Sequence, residues 1–253
     1  MSNQHRKKQF GQHFLADPNI LGVIERLAEL GPDDVVLEIG PGEGVLTRYL
    51  APRVRYVHAV EIDRDLESAL RDVAPNVDVV FGDALRLELP QDATKLVANL
   101  PYNVATPLIA ESLDSLPNIG LWCVMVQREV ADRFFAAPST KDYGAVSVLV
   151  QLAAERTGFH PVSRTVFRPP PNVDSALVAF RRTELPADFA RIKQVVSAAF
   201  AHRRKTLPNS LALAGLVSRE RAAAALEALG RPENTRAEAL APPEFVVLAE
   251  ALG

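Results

Sequence analysis

Val35-Val36-Leu37-Glu38-Ile39-Gly40-Pro41-Gly42-Glu43-Gly44 is a short apolar run that breaks into three glycines. Five residues with almost no polar alternation read as a strand buried on both faces, as in the middle of a parallel sheet. The glycines mark a turn where backbone can approach a ligand closely, and 45–50 then opens a helix. Toward the carboxyl end the pattern repeats. A strand at 56–60 ends in Glu61-Ile62-Asp63 and is followed by a helix at 64–73. A third strand at 77–81 ends in Gly82-Asp83-Ala84, and a fourth at 95–98 ends in Asn99-Leu100-Pro101-Tyr102. A helix at 106–116 leads to a fifth strand at 121–126. Alternation of strand and helix predicts an α/β fold built on a doubly wound parallel sheet.

Toward the amino end, Asp17-Pro18 reads as an N-cap followed by proline at the first helical position. Ile20, Leu21, Ile24, Leu27 and Ala28 share one face of that helix, which stops near Gly31-Pro32. Residues 1–14 read as a basic arm. Beyond 127 the regular alternation ends: 128–136 reads as a helix, 137–144 as a loop, and 146–153 and 175–180 as strands. Pro169-Pro170-Pro171 makes the segment between them a stiff extended loop. From 186 onward only helices are predicted, at 187–202, 205–213, 218–229 and 243–252. The expected division is a sheet domain over 1–184 and a small all-α domain over 185–253.

The 253 residues are 48% apolar and 23% charged, as in an ordinary water-soluble globular protein. No run approaches the ~18 consecutive apolar residues of a membrane span. The first residues lack the apolar core of a secretory signal. The single cysteine, Cys123, lies in an apolar run and reads as a buried, inert thiol. A cytoplasmic protein is therefore expected. Net charge is −3, yet it is unevenly spread: 29–92 carries 14 acidic and 6 basic residues, whereas 155–182 carries 5 basic and 2 acidic. An acidic body with basic edges suits a cationic ligand in one place and a polyanion in another.

Ligands of open parallel sheets bind beyond the carboxyl ends of the strands. Four such ends here carry glycines or polar groups together: Gly40, Gly42 and Gly44, then Glu61, Asp83 and Asn99. Plain turns and helix caps would explain any one of them; the coincidence favours a site. The glycine spacing is not that of the dinucleotide fingerprint. Glu61 follows Gly40 by 21 residues, the usual spacing for an acid that accepts from ribose hydroxyls. Asp83 beside small Ala84 can accept from an adenine amine. An acidic loop disfavours a pyrophosphate, so S-adenosylmethionine, a phosphate-free cation, fits better than a nicotinamide cofactor. Asn99-Leu100-Pro101-Tyr102 is either turn chemistry or an edge for a planar base carrying an exocyclic amine, with two carbonyls and a flat ring side by side.

With these residues assembled, the chain resembles the ribosomal RNA adenine N6,N6-dimethyltransferases, and most of all the bacterial small-subunit enzymes. The resemblance runs over nearly the whole chain, through residues 8–15, 38–44, 82–84, 99–102, 167–175 and 200–206. It implies a Rossmann-like S-adenosylmethionine-dependent methyltransferase sheet with helices on both faces, plus the helical domain as an RNA or ribosome contact. It also implies dimethylation of two adjacent adenines near the 3′ end of 16S rRNA. Leu100, where large-subunit relatives usually carry isoleucine, and Arg203-Arg204-Lys205-Thr206 favour the small-subunit branch. The cofactor residues implied are His13, Leu15, Gly40, Glu61, Asp83 and Asn99, and Gln12, Gly42, Ile62 and Ala84 beside them complete the candidate set; His13 acts through its ring or only its backbone.

Adenine N6 is a poor nucleophile because its lone pair is delocalised into the ring. The Asn99 oxygen and the carbonyl of Leu100 or Pro101 are the expected acceptors for its two N–H groups, which is catalysis by alignment and electrostatics. Tyr102 would stack on the base, with Phe167 either on the opposite face or in ordinary packing. The expected phosphate contacts are Arg6, Lys7, Lys8, Arg203, Arg204 and Lys205. No histidine falls into a metal-ligand spacing, so no metal is expected. A monomer acting on 16S rRNA in the small subunit or its precursor, away from membranes, is the partner expectation. The alternatives are an adenine methyltransferase of large-subunit RNA or DNA, or a factor acting chiefly in ribosome assembly.

Overall fold

The computed structural model describes residues 13–15 and 17–253. Arg6, Lys7, Lys8 and Gln12 therefore lie outside the described residues. Nine strands occur among those described: β1 (Phe14–Leu15), β2 (Val35–Ile39), β3 (Tyr56–Glu61), β4 (Val77–Phe81), β5 (Lys95–Asn99), β6 (Leu121–Gln127), β7 (Ala154–Val162), β8 (Phe167–Arg168) and β9 (Ser175–Arg182). Seven form one sheet in the order β4-β3-β2-β5-β6-β9-β7, and β1 pairs with β8 in a separate ribbon.

Strands β4, β3, β2, β5 and β6 are mutually parallel, and β9 runs antiparallel to β6. The chain lays down β2, β3 and β4 in one direction, then returns to place β5 on the other side of β2. That reversal opens a crevice beyond Ile39 and Asn99, where doubly wound sheets bind their ligands. The Rossmann-like sheet expected from the sequence is thus the one observed.

Burial on both faces explains the near-continuous apolar strands. Val36, Val57, Val97, Cys123, Met125 and Leu177 point to one side, where they pack with Ile20, Leu21, Ile24 and Ala28 of the helix Pro18–Ala28. Asp17 caps that helix by accepting the Asn19 N–H at 2.9 Å, with proline at its first turn. On the opposite face Trp122 stacks on Phe180 at 5.3 Å and donates its indole N–H to Ser112 of the helix Ala105–Ser115, at 2.9 Å. Cys123 is fully buried, and burial pushes its thiol up to about 12, so it is not a nucleophile.

The chain contacts divide into two units, 1–131 with 156–182, and 132–155 with 183–253. Residues 132–155 thus group with the helical unit, although the boundary at 184 had placed them with the sheet. One reason is that 145–153 is a helix, not a strand (Ala145–Ala153). Six of its nine residues are buried, and a short, almost wholly apolar run carries no period to separate helix from strand. Ser147 settles the choice locally: its hydroxyl accepts the Gly144 N–H at 3.0 Å and caps the helix.

In the helical unit Tyr143, Phe200 and Phe245 form a chain of aromatic contacts, and the Tyr143 hydroxyl donates to the Leu240 carbonyl at 2.8 Å. Arg203, Arg204 and Lys205 lie on the exposed turn between the helices Phe189–Phe200 and Leu207–Leu213, so the helix expected from 205 begins two residues later. Thr206 and Pro208 account for this, since an extended Thr206 and a proline in the first turn start a new helix. No helix among the described residues is long and apolar enough to cross a membrane.

Candidate active site

Beyond β2, the glycine turn holds Gly40, Gly42 and Gly44 at φ of 72°, 60° and 78°, in the left-handed region that glycine adopts without strain. Close approach adds to the conformational demand. A Cβ on Gly40 would meet the Pro101 ring at 3.2 Å, and one on Gly42 would meet the Phe14 ring at 2.8 Å. The turn is thereby pressed between β1 and the tetrapeptide after β5, and it walls a cleft with about 1080 Å3 of empty space, part of it open to solvent.

Two carboxyl groups stand behind the turn. Glu61, at the end of β3, is 3% exposed and accepts the Gly42 N–H at 3.0 Å and the Asp63 N–H at 2.9 Å. Burial raises its pKa, and those N–H groups counteract the rise. Glu38, inside β2, is 1% exposed, and its Oε2 has no hydrogen-bond partner among the described residues. Burial pushes its carboxyl up to about 8; the nearby Thr47 hydroxyl moderates this without a hydrogen bond of good geometry, and the Glu61 charge adds to it. An orphaned carboxyl oxygen at the wall of a cleft is a ready acceptor for a cation. Asp83 caps its own turn, accepting the Leu85 N–H at 3.0 Å, with Arg86 at 3.4 Å. It also lines the cleft, so the cap and the site are compatible roles.

The tetrapeptide is wired so that its acceptors face one way. Asn99 donates its amide N–H to the His13 carbonyl at 3.0 Å, which fixes the orientation of the amide and leaves Oδ1 without a donor among the described residues. The Leu100 N–H is taken by the Met125 carbonyl at 3.0 Å. The Pro101 carbonyl accepts from Val104 and Ala105 at 3.1 and 3.2 Å, whereas the Leu100 carbonyl accepts no hydrogen bond from the described residues. Of the two carbonyls open to choice in the sequence, Leu100 is the one left available. Tyr102 lies 5.7 Å from the His13 ring, and its hydroxyl meets Ser175 Oγ at 2.7 Å.

His13 is held through both its backbone and its ring: its carbonyl accepts from Asn99, and its Nδ1 donates to the Pro169 carbonyl at 2.8 Å, joining the start of β1 to the loop after β8. Leu15, Gly40, Gly42, Glu61, Ile62, Asp83, Ala84 and Asn99 all line the cleft with Leu100, Pro101 and Tyr102. Phe167 does not. It pairs with Leu15 across the β1–β8 ribbon, is 1% exposed and belongs to the core beneath it, so the packing role is the one observed. Phe14, Leu85 and Glu38 were not singled out from the sequence. For Glu38 the signal was present, an acid inside an otherwise apolar buried strand; for the other two there was none. Among the described residues no group of three or more His, Cys, Asp or Glu is placed to hold a metal ion.

Comparison with known proteins places this geometry in context. Residues 3–251 match the family profile described as Ribosomal RNA adenine dimethylase. The chain is 47% identical over 249 residues to the Ribosomal RNA small subunit methyltransferase A of Rubrobacter xylanophilus, covering 96% of this chain and 93% of that one. Among solved structures it is similar to a dimethyladenosine transferase from Plasmodium falciparum, with 27% identity, TM-score 0.76 and coverage of 93% and 96%. It is also similar to the 23S rRNA methyltransferase ErmE, with 33% identity, TM-score 0.65 and coverage of 94% and 99%. The chain therefore belongs to the ribosomal RNA adenine dimethylase family.

Proposed function

We propose that this enzyme uses S-adenosylmethionine to dimethylate N6 of two adjacent adenines near the 3′ end of 16S rRNA, within the small ribosomal subunit or its precursor. The observation that carries the reading is the wiring of Asn99. Its amide N–H is committed to His13, so Oδ1 and the Leu100 carbonyl form a pair of acceptors at one edge of the cleft.

The residues present fit S-adenosylmethionine. Gly40 and Gly42 allow close approach of backbone, Glu61 offers acceptors for ribose hydroxyls, and Asp83 and Ala84 with exposed Ile62 and Leu85 suit an adenine ring. The orphaned Glu38 oxygen suits the positive charge of the methionine end. When bound, S-adenosylmethionine supplies an electrophilic methyl group on its sulfonium.

Everything else is positioning by this chain. Asn99 Oδ1 and the Leu100 carbonyl accept the two N–H groups of the target amine, which draws N6 toward a tetrahedral shape and localises its lone pair. Tyr102 offers its ring to the extruded base, a contact worth ~1–3 kcal/mol. No strong general base is needed, because a methylated adenine amine bearing positive charge is acidic enough to release its proton to water. After the first transfer one N–H remains to be held, so the ring contact carries more of the alignment in the second. Arg203, Arg204 and Lys205, exposed together on one turn, are the phosphate contacts proposed for the helical unit.

The test is methyl transfer from labelled S-adenosylmethionine to unmethylated small subunits, large subunits, free RNA and DNA, with the modified nucleosides mapped. Two adjacent N6,N6-dimethyladenosines in 16S rRNA are the expected product. Modification confined to large-subunit RNA, to DNA, or to a nucleotide other than adenosine refutes the proposal.

A further inference from the structure

We infer that Ser175 is a positioning residue that sets the plane of the Tyr102 ring, and that this tether matters most for the second of two methyl transfers. The inference rests on the proposed function and goes beyond it to a residue outside the tetrapeptide and the cleft wall.

Tyr102 follows a proline in a turn, and a side chain there swings about two torsions unless its far end is held. Stacking alone needs only a phenyl ring. The hydroxyl adds one thing, a hydrogen bond from the ring tip to Ser175 Oγ at 2.7 Å. Ser175 is well placed as an anchor. It is the first residue of β9, it is paired in register with Gln127 of β6, and it is 1% exposed. Its hydroxyl is thus held by the sheet while the turn bearing Tyr102 is not part of it. The His13 ring tilts toward Tyr102 at 33° on another contact, so the tyrosine plane is bounded at two places.

The consequence for chemistry follows from counting donors. An unmethylated adenine presents two N–H groups to Asn99 Oδ1 and the Leu100 carbonyl. A monomethylated adenine presents one, and loses half of its hydrogen-bonded alignment. The ring contact then carries a larger share, and a tyrosine free to tilt costs the second transfer more than the first.

The experiment compares the full-length protein with Ser175→Ala, Tyr102→Phe, the double variant and Ser175→Thr, which keeps a hydroxyl. First- and second-methyl rates are read as N6-methyladenosine and N6,N6-dimethyladenosine by mass spectrometry, beside the dissociation constant for S-adenosylmethionine. Ser175→Ala is expected to slow the second transfer by about tenfold, the upper end of what one hydrogen bond contributes, and the first by about threefold. Monomethyladenosine should accumulate, cofactor affinity should hold within about twofold, and Ser175→Thr should restore the product ratio. Because both single variants remove the same bond, the double variant should be no worse than Tyr102→Phe. Equal slowing of both steps, additive losses, or a parallel fall in cofactor affinity overturns the inference.

A wild-type protein that methylates no adenine refutes the proposed function instead. The tether is then decided by NMR of tyrosine labelled at Cζ. Ser175→Ala should move the Tyr102 titration upward, since that hydrogen bond holds the phenol down against burial and the Asp174 charge. An unmoved Tyr102 titration overturns the tether.

Discussion

Replacing Glu38 by glutamine, which keeps the shape of the neutral acid and removes the titration, tests the electrostatic design of the cleft. The Glu38 carboxyl is wholly buried and its pKa is raised from 4.5 to about 8. Below pH 4.5 it is protonated in both folded and unfolded chains, so it contributes nothing that changes with pH. Between 4.5 and about 8 the unfolded chain ionises this group while the folded protein keeps the proton, and stability falls as pH rises. The slope is about 1.4 kcal/mol per pH unit, so wild type should lose about 2.5 kcal/mol from this group between about pH 5.5 and about pH 7.5. Glu38→Gln carries no such slope, and every other titrating group is common to both proteins. In urea unfolding the midpoint of the variant relative to wild type should rise by about 1 M over that range, for a denaturant slope near ~3 kcal/mol per M. S-adenosylmethionine should reverse the preference. A cation in the cleft favours the carboxylate, so ligand should stabilise wild type more at about pH 7.5 than at about pH 5.5, and the variant equally at both. Parallel urea midpoints across the pH range would falsify the claim that Glu38 is held neutral in the ligand-free protein.

Asn99→Ala should lower methyl transfer by on the order of 10²–10³-fold while S-adenosylmethionine affinity stays within about twofold; turnover near wild type removes Asn99 from amine positioning. Glu61→Ala leaves the Gly42 and Asp63 N–H groups without their acceptor. It should raise the S-adenosylmethionine dissociation constant by about tenfold or more in calorimetry, and an unchanged constant detaches Glu61 from the ribose. Gly40→Ala places a methyl 3.2 Å from Pro101 at φ 72°, and thermal unfolding should report a loss of about 1–2 kcal/mol from the backbone conformation alone. Neutralising Arg203, Arg204 and Lys205 together should make the logarithmic salt dependence of RNA binding shallower by roughly 2–3. A slope that does not move leaves that turn as a solvated surface.

Strand β2 and the turn after it show how much was legible in the chain alone. A sheet strand buried on both faces must be apolar throughout, and a turn pressed against Phe14 and Pro101 must be glycine, so 35–44 carries its structure in its composition. Glu61, Asp83 and Asn99 were legible for a related reason: parallel strands bring their carboxyl ends to one edge whatever the loops do. Residues 145–153 were not legible, because six buried side chains of nine leave no polar face to reveal a period. The sheet continues instead through β7, which follows directly and carries the polar and apolar residues that the sequence reading passed over.

What only the tertiary structure decided is which atoms remain available. Sequence placed two carbonyls beside Asn99, but hydrogen bonds from Val104 and Ala105 occupy Pro101 and leave Leu100. It offered Phe167 as a ring for the site, but pairing with Leu15 buried that ring in the core. It listed Ser175 within a motif, yet only the register of β9 on β6 brings its hydroxyl to Tyr102. Periodicity and local turn chemistry act over a few residues and are written in the chain. The orientation of the Asn99 amide and of the Tyr102 ring depends on partners 86 and 73 residues away, and folding alone brings those together.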